Sequence, residues 1–246
     1  MLLLTSNQRQ SNIWMHRATH VFWAVALLRL TISFDCMPKL YLLGGENVAK
    51  RSALIVNETA FQAAGKPLSV LVYPWARASF DQRYAKRKLL SDYFTSLGAD
   101  IVDFVDYSDG KELIAQKTRA SNLIYLTGGL VNALVERLRI MEVDELLKSF
   151  AGVIVGRSAG ALALCRKCVI TNLENKKVRL INGLGLADLA LKVHYRPEKD
   201  ESLKHLSKQE KIYAVPAQSA LVYEDGVCSF IGEVYLFENG EKKVLQ

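Results

Sequence analysis

The chain has 246 residues, half of them hydrophobic and 23% charged, a length and apolarity that allow one full core and exclude disorder. Its formal charge of +7 is spread along the chain among 25 acids, with no basic run interleaved with aromatics, which argues against a nucleic-acid partner. Four cysteines, of which only Cys165 and Cys168 are close in sequence, make no disulfide framework and fit a reducing, cytoplasmic compartment.

Residues 1–36 read differently from the rest. Their apolar stretch, HVFWAVALLRLTISF, is interrupted by Arg29 and is too short and broken for a membrane-spanning helix. Arg9 and Arg17 supply a basic flank, but no small-residue cleavage site follows Phe34, so an extension outside the fold, or a start-site artefact, is the preferred reading over a signal peptide. Met37 opens MPKLYLLGGEN, which reads as a first strand and a glycine turn. Residues 37–246 are then a single domain.

From Lys39 onward, short apolar runs alternate with longer amphipathic ones. KLYLL, SVLVY, IVDFV, LIYL and GVIV have the near-continuous apolarity of strands buried on both faces. NETAFQAAG, the stretch from Asp81 to Gly98, KELIAQKTRA from Lys111 and the long run from Val131 to Phe150 read as the helices between them. This order predicts an α/β fold, a mostly parallel sheet with helices on both faces. Past Gly183 come LALKV, SALVYEDG, VCSFI and EVYLFENGEKKVL. Asn239-Gly240 is a two-residue hairpin signal, so antiparallel strands are expected at the C-terminal end.

One junction carries chemistry. The strand-like Gly152–Val155 runs into Gly156-Arg157-Ser158-Ala159-Gly160 and then into the helix-favouring ALALCRK. This is the strand, tight turn and helix context of a G-x-S-x-G nucleophile elbow, in which small neighbours let a strained serine stand exposed. Ser158 is the candidate nucleophile and the N–H of Ala159 a candidate oxyanion donor. A serine needs a base. His16 and His20 lie in the extension, and His205 sits in the polar helical run DESLKHLSKQEK, where a solvated surface role fits. His194, closing the strand-like LALKV, is the candidate base. Between serine and histidine the acids are Glu174 and Asp188, and spacing does not separate them.

The order serine, acid, histidine, with His194 36 positions after Ser158 (194 − 158) and an elbow reading G-x-S-A-G-A, resembles peptidase family S51, the family of aspartyl dipeptidase and cyanophycinase. The likeness spans about Lys39 to Gly226 and includes LYLLGGEN, YPWARAS, YFTSLGADI, IYLTGGL, VGRSAGALAL, VITNLE, GLGLADLALKVHY and SALVYEDG. It implies an α/β fold like that of class I glutamine amidotransferases, no metal or cofactor, and cleavage of small peptides next to aspartyl residues. By the same resemblance Ser158 is the nucleophile, His194 the general base and Glu174, after ITN, the triad acid in preference to Asp188. Gly128 or Gly129 supplies the second oxyanion donor beside Ala159.

Two positions depart from the family pattern. The double glycine is followed by Leu130 where a polar residue is usual, with Asn132 two places later as a substrate-binding candidate. The x of the elbow is Arg157, a cation suited to a substrate carboxylate or, equally, to a surface acid. The rival readings are an α/β-hydrolase esterase, from which the family order differs by its early histidine, and a noncatalytic ligand-binding relative. Cys165-x-x-Cys168 lacks the partners of a zinc site and is expected to pack in the core on the helix behind the elbow. Tyr73 and Trp75 line a pocket or belong to the core. The subunit number is left open.

Overall fold

The computed structural model describes residues 37–79, 84–171 and 178–245. The first element is β1 (Lys39–Leu43), followed by a single 3-10 turn at Val48–Lys50, α1 (Leu54–Ala64), β2 (Ser69–Tyr73), α2 (Arg87–Ser96) and β3 (Ile101–Phe104). Then come α3 (Lys111–Arg119), β4 (Leu123–Leu126), α4 (Val131–Ile140), α5 (Val143–Lys148), β5 (Val153–Arg157) and α6 (Ala159–Leu164). The remainder is β6 (Cys165–Thr171), β7 (Val178–Asn182), β8 (Ala187–Val193), α7 (Asp200–Leu206), β9 (Ile212–Val215), β10 (Ala220–Glu224), β11 (Val227–Ile231), β12 (Val234–Glu238) and β13 (Glu241–Leu245).

Two sheets result. The first has the order β11-β10-β1-β5-β4-β2-β3, parallel from β1 through β3, with β10 and β11 added antiparallel at one edge. Its central strands are buried on both faces, as their unbroken apolarity requires. On one face Tyr41, Leu43, Val70, Val72, Tyr125 and Val155 pack under α1 and α2, through Val56, Phe61, Leu90 and Phe94. On the other, Leu40, Leu42, Ile124, Leu126 and Ile154 meet α4, α5 and α6.

The second sheet, β13-β12-β9-β8-β6-β7, was not foreseen as separate: β6, β8 and β9 are parallel, and β7 and the β12–β13 hairpin flank them antiparallel. The hairpin turns at Asn239-Gly240, both with positive φ (54° and 83°), as the two-residue loop demands. The core is shared, since Leu189, Leu191, Val193 and Val215 of the second sheet join the cluster under α4 and α6.

Two local readings needed correction. The helix expected from Val131 to Phe150 is broken at Glu142, which adopts φ 58° and starts α5, although no glycine or proline marks the break. The helix behind the elbow ends at Leu164, and Cys165 to Lys167, read as its continuation, are strand. Cys165 pairs with Ala187 of β8, so a sheet ladder takes the backbone groups that another helical turn would have used. Both cysteines are fully buried, thiols bonded to Ala161 O and Leu162 O, and packing is their role as expected. Tyr73 and Trp75 also belong to the core: their rings meet edge to face at 5.0 Å, Tyr73 shares a hydroxyl bond with Thr118 and Trp75 donates to Val105 O.

Candidate active site

The carboxyl end of β1 organises the site. The N–H of Ser158 donates to Leu43 O at 2.9 Å, and the N–H of His194 donates to the next carbonyl, Gly44 O, at 3.0 Å. One residue arrives from β5 in the first sheet and the other from β8 in the second, and consecutive carbonyls of a central strand hold both. The side chains meet there: Ser158 Oγ and His194 Nε2 are 2.7 Å apart, 36 residues distant in sequence.

Both residues are left-handed, Ser158 at φ 54° and His194 at φ 50°. For residues with a Cβ this is a sparsely populated region, and strain of this kind collects where geometry has to be held for chemistry. Glycines make the room. A Cβ on Gly156 would sit 2.6 Å from Ala161 N, and one on Gly160 would overlap Leu126 O, so the elbow closes only with glycine at both flanks.

Gly45 is the glycine that sequence reading passed over. A Cβ there would overlap Cε1 of His194 and stand 2.5 Å from Nδ1, so the imidazole lies directly on the Gly45 backbone. The loop Pro216–Ser219 completes the support, with Ser219 O accepting from Gly44 N–H and Gln218 N–H donating to Gly45 O. The only sequence signal was the Gly-Gly pair after KLYLL, which read as a turn and not as a floor for a side chain.

His194 has a pKa below the ordinary 6.5. Burial of its protein-facing side is the main cause, followed by the cations Lys192, Arg157 and Arg196. Lys192 lies two residues earlier in the chain, on β8. It is buried, donates to Thr171 Oγ1 at 3.0 Å, and has its own pKa lowered to about 8, by burial and then by Lys199. The imidazole is therefore neutral at pH 7, the state that accepts a proton.

The other predicted residues fall as follows. A Cβ on Gly128 would stand 3.2 Å from Ser158 Cβ, which places this glycine against the nucleophile candidate. Gly129 has φ 146° and its Cβ position overlaps Ala76 O, so it too must be glycine. Ala159 is buried at the first position of α6, where its N–H has no partner within the helix. Leu130 is 53% exposed beside the double glycine, and Asn132 is exposed in the first turn of α4. His205 is exposed on α7, as expected.

Asp188 lies near the start of β8, about 16 Å before Val193 at ~3.3 Å per residue, and its carboxylate pairs with Arg166 Nε at 2.6 Å. Glu174 lies outside the described residues. Arg157, expected either at a substrate or at a surface acid, is only 8% exposed and pairs with no acid among the described residues.

A serine hydroxyl bonded to a neutral imidazole at the carboxyl end of parallel strands is the arrangement of a nucleophilic hydrolase. The model of the family described as Peptidase family S51 matches residues 40–231. The chain belongs to this family. Two solved structures share the fold. A peptidase from an acI-B1 Actinobacterium matches with TM-score 0.65 and 18% identity, over 85% of this chain and 94% of its own. The putative peptidase E protein of Listeria monocytogenes EGD-e matches with TM-score 0.60 and 22% identity, over 79% of this chain and 98% of its own. No curated protein matches. This S51 chain is thus a serine-type peptidase, and the α/β-hydrolase esterase and noncatalytic readings give way to it. Among the described residues no helix is long and apolar enough to cross a membrane, and no cluster of His, Cys, Asp and Glu suits a metal ion.

Proposed function

We propose that the chain hydrolyses small peptides at aspartyl residues, with Ser158 as nucleophile, His194 as general base and Glu174 as the third member of the triad, in the cytoplasm and without metal or cofactor. The 2.7 Å contact between Ser158 Oγ and His194 Nε2 carries this reading. Oγ attacks the scissile carbonyl carbon while its proton passes to Nε2. The resulting oxyanion is held by the N–H of Ala159 and that of Gly128 or Gly129, donors typically worth about a hundredfold or more in rate each. The imidazolium then protonates the leaving amine, and a water activated by the same imidazole releases the acyl group.

The pH profile follows from the charges around His194. Its lowered pKa means that activity is retained as pH falls to 6.5 and is lost only as pH falls through the lower value, where the imidazole protonates. Lys192, with a pKa of about 8, is charged throughout that range and repels the imidazolium. Lys192→Met is therefore expected to move the acid limb of kcat/KM to higher pH, read from a rate profile between pH 4 and 8. A limb that stays in place or moves down contradicts the assignment.

The triad acid is tested in the same assay. Glu174→Gln is expected to lower kcat by about 10³-fold or more, the scale of losing the group that fixes the imidazole tautomer. Asp188→Asn is expected to leave kcat unchanged, since it breaks only the exposed pair with Arg166. The substrate class is tested by a dipeptide panel with Asp, Glu, Asn, Leu or Lys at the amino end. Cleavage of Asp-X alone supports the proposal, and cleavage of Leu-X in preference to Asp-X sinks the aspartyl part of it.

A further inference from the structure

The double glycine beside Ser158 takes its place from the segment that follows β2. Thr127 N–H and Oγ1 both donate to Tyr73 O, at 3.3 and 3.2 Å, and Leu130 N–H donates to Ala76 O at 2.7 Å. Gly128 and Gly129 are strung between these two anchors. A Cβ on Gly129 would overlap Ala76 O, and Gly128 stands against Ser158. Where these two N–H groups sit is therefore decided by where residues 73–76 sit.

A side chain from α4 fixes that segment in turn. Arg137, half-buried in the second turn of the helix, donates through Nη1 to Trp75 O at 2.6 Å and to Arg77 O, and through Nη2 to Ala78 O at 3.3 Å. Its guanidinium also lies 6.0 Å from the centre of the Tyr107 ring, and Tyr107 meets Trp75 edge to face at 5.3 Å. The carbonyls of Trp75 and Arg77 flank that of Ala76, which accepts from Leu130, the residue at which α4 starts. One helix thus holds three consecutive carbonyls, the outer two through Arg137 and the middle one through its N-cap residue. The residue type matters here. A guanidinium is a planar fork of N–H donors that reaches several acceptors at fixed angles, whereas an ammonium is a point charge on a flexible stem. Arg139, two residues further on, donates instead to Gly183 O at 2.7 Å, in a different loop.

We infer that Arg137 is a positioning residue for the oxyanion hole: by fixing the Trp75 and Arg77 carbonyls it keeps Ala76 O, Leu130 and hence the N–H groups of Gly128 and Gly129 aimed beside Ser158. The inference rests on the serine nucleophile and backbone donors proposed above, and adds a residue that acts on the reaction only through the backbone. Preorganised donors stabilise charge that develops in the transition state, so a loosened donor lowers kcat and leaves ground-state binding alone.

The test measures two reactions on the full chain, at a temperature where every variant is folded. One is cleavage of the dipeptide Asp-Leu, read as kcat and KM. The other is modification of Ser158 by an alkyl fluorophosphonate, followed by mass spectrometry. In it Oγ displaces fluoride from phosphorus, its proton passes to His194, and the phosphonyl oxygen takes the place of the oxyanion. Arg137→Ala is expected to lower kcat by about 10- to 100-fold, up to the scale of one lost donor, with KM within about twofold of wild type. Phosphonylation is expected to slow in parallel, and Arg137→Lys to restore part of both rates. Arg139→Ala, which removes a bond of the same kind from the same helix, is expected to change the melting temperature and neither rate. Should Arg137→Ala not fold, Arg137→Gln, which keeps the stem and one amide donor, is read in the same way. Wild-type rates in the Arg137 variant, a raised KM at unchanged kcat, or an equal loss in Arg139→Ala overturns the inference. A chain modified at Ser158 with this dependence on Arg137 that cleaves no peptide upholds the positioning role and refutes the substrate assignment. A wild-type chain that neither takes the phosphonate at Ser158 nor cleaves peptide refutes the nucleophile reading, and the inference falls with it.

Discussion

Ser158→Ala is expected to lower kcat/KM on the best peptide substrate by about 10⁴-fold or more, leaving only the residual rate that backbone donors and binding provide. The fold should barely respond. Among the described residues the lost hydroxyl makes one hydrogen bond, to an exposed histidine, worth about 1 kcal/mol. The strained backbone at φ 54° sharpens the test. Ser158→Gly should be equally inactive yet more stable than the alanine variant by about 1 kcal/mol, because glycine adopts a positive φ without cost. Thermal melts alongside the rate assay read both effects. Retention of more than a tenth of the wild-type activity by the alanine variant would falsify the nucleophile assignment.

Gly45→Ala should be nearly as damaging, through a group that touches no substrate. The added methyl would occupy the space of the His194 ring, which lies against Leu43–Gly45 through backbone bonds and has no slack below it. The ring would have to swing off its floor, and the 2.7 Å contact with Ser158 Oγ would lengthen. A displacement of about 1 Å in such a pair costs on the order of a hundredfold in rate. We therefore expect kcat to fall by about 10²-fold with KM little changed. Gly110→Ala is the control, since a Cβ there meets nothing within 4 Å and the residue lies at the start of α3. A Gly45→Ala enzyme with wild-type kcat would mean that the imidazole is not held where the structure puts it.

Much of this protein was legible before folding was considered. KLYLL, SVLVY and LIYL coincide with β1, β2 and β4 because strands covered on both faces need apolar residues at every position, and that pattern survives in one dimension. The elbow was legible for a similar reason: a strained turn between strand and helix tolerates only small flanks, so its glycines are local requirements. The break at Glu142 and the end of α6 at Leu164 were not legible. There the competing partner is remote, as when Ala187 claims Cys165, and local propensity contains no trace of it.

The site divides along the same line. The sequence by itself determined which serine stands at a strand-to-helix elbow and which histidine follows a strand, since each is a matter of near neighbours and period. Only the tertiary structure decided that the two touch, that the Asp188 carboxylate pairs with Arg166, and that Gly45 is the floor beneath the imidazole. These facts depend on how two sheets meet at the end of β1. That meeting is fixed by the shared core and by the carbonyls of Leu43 and Gly44, contacts between residues more than a hundred positions apart.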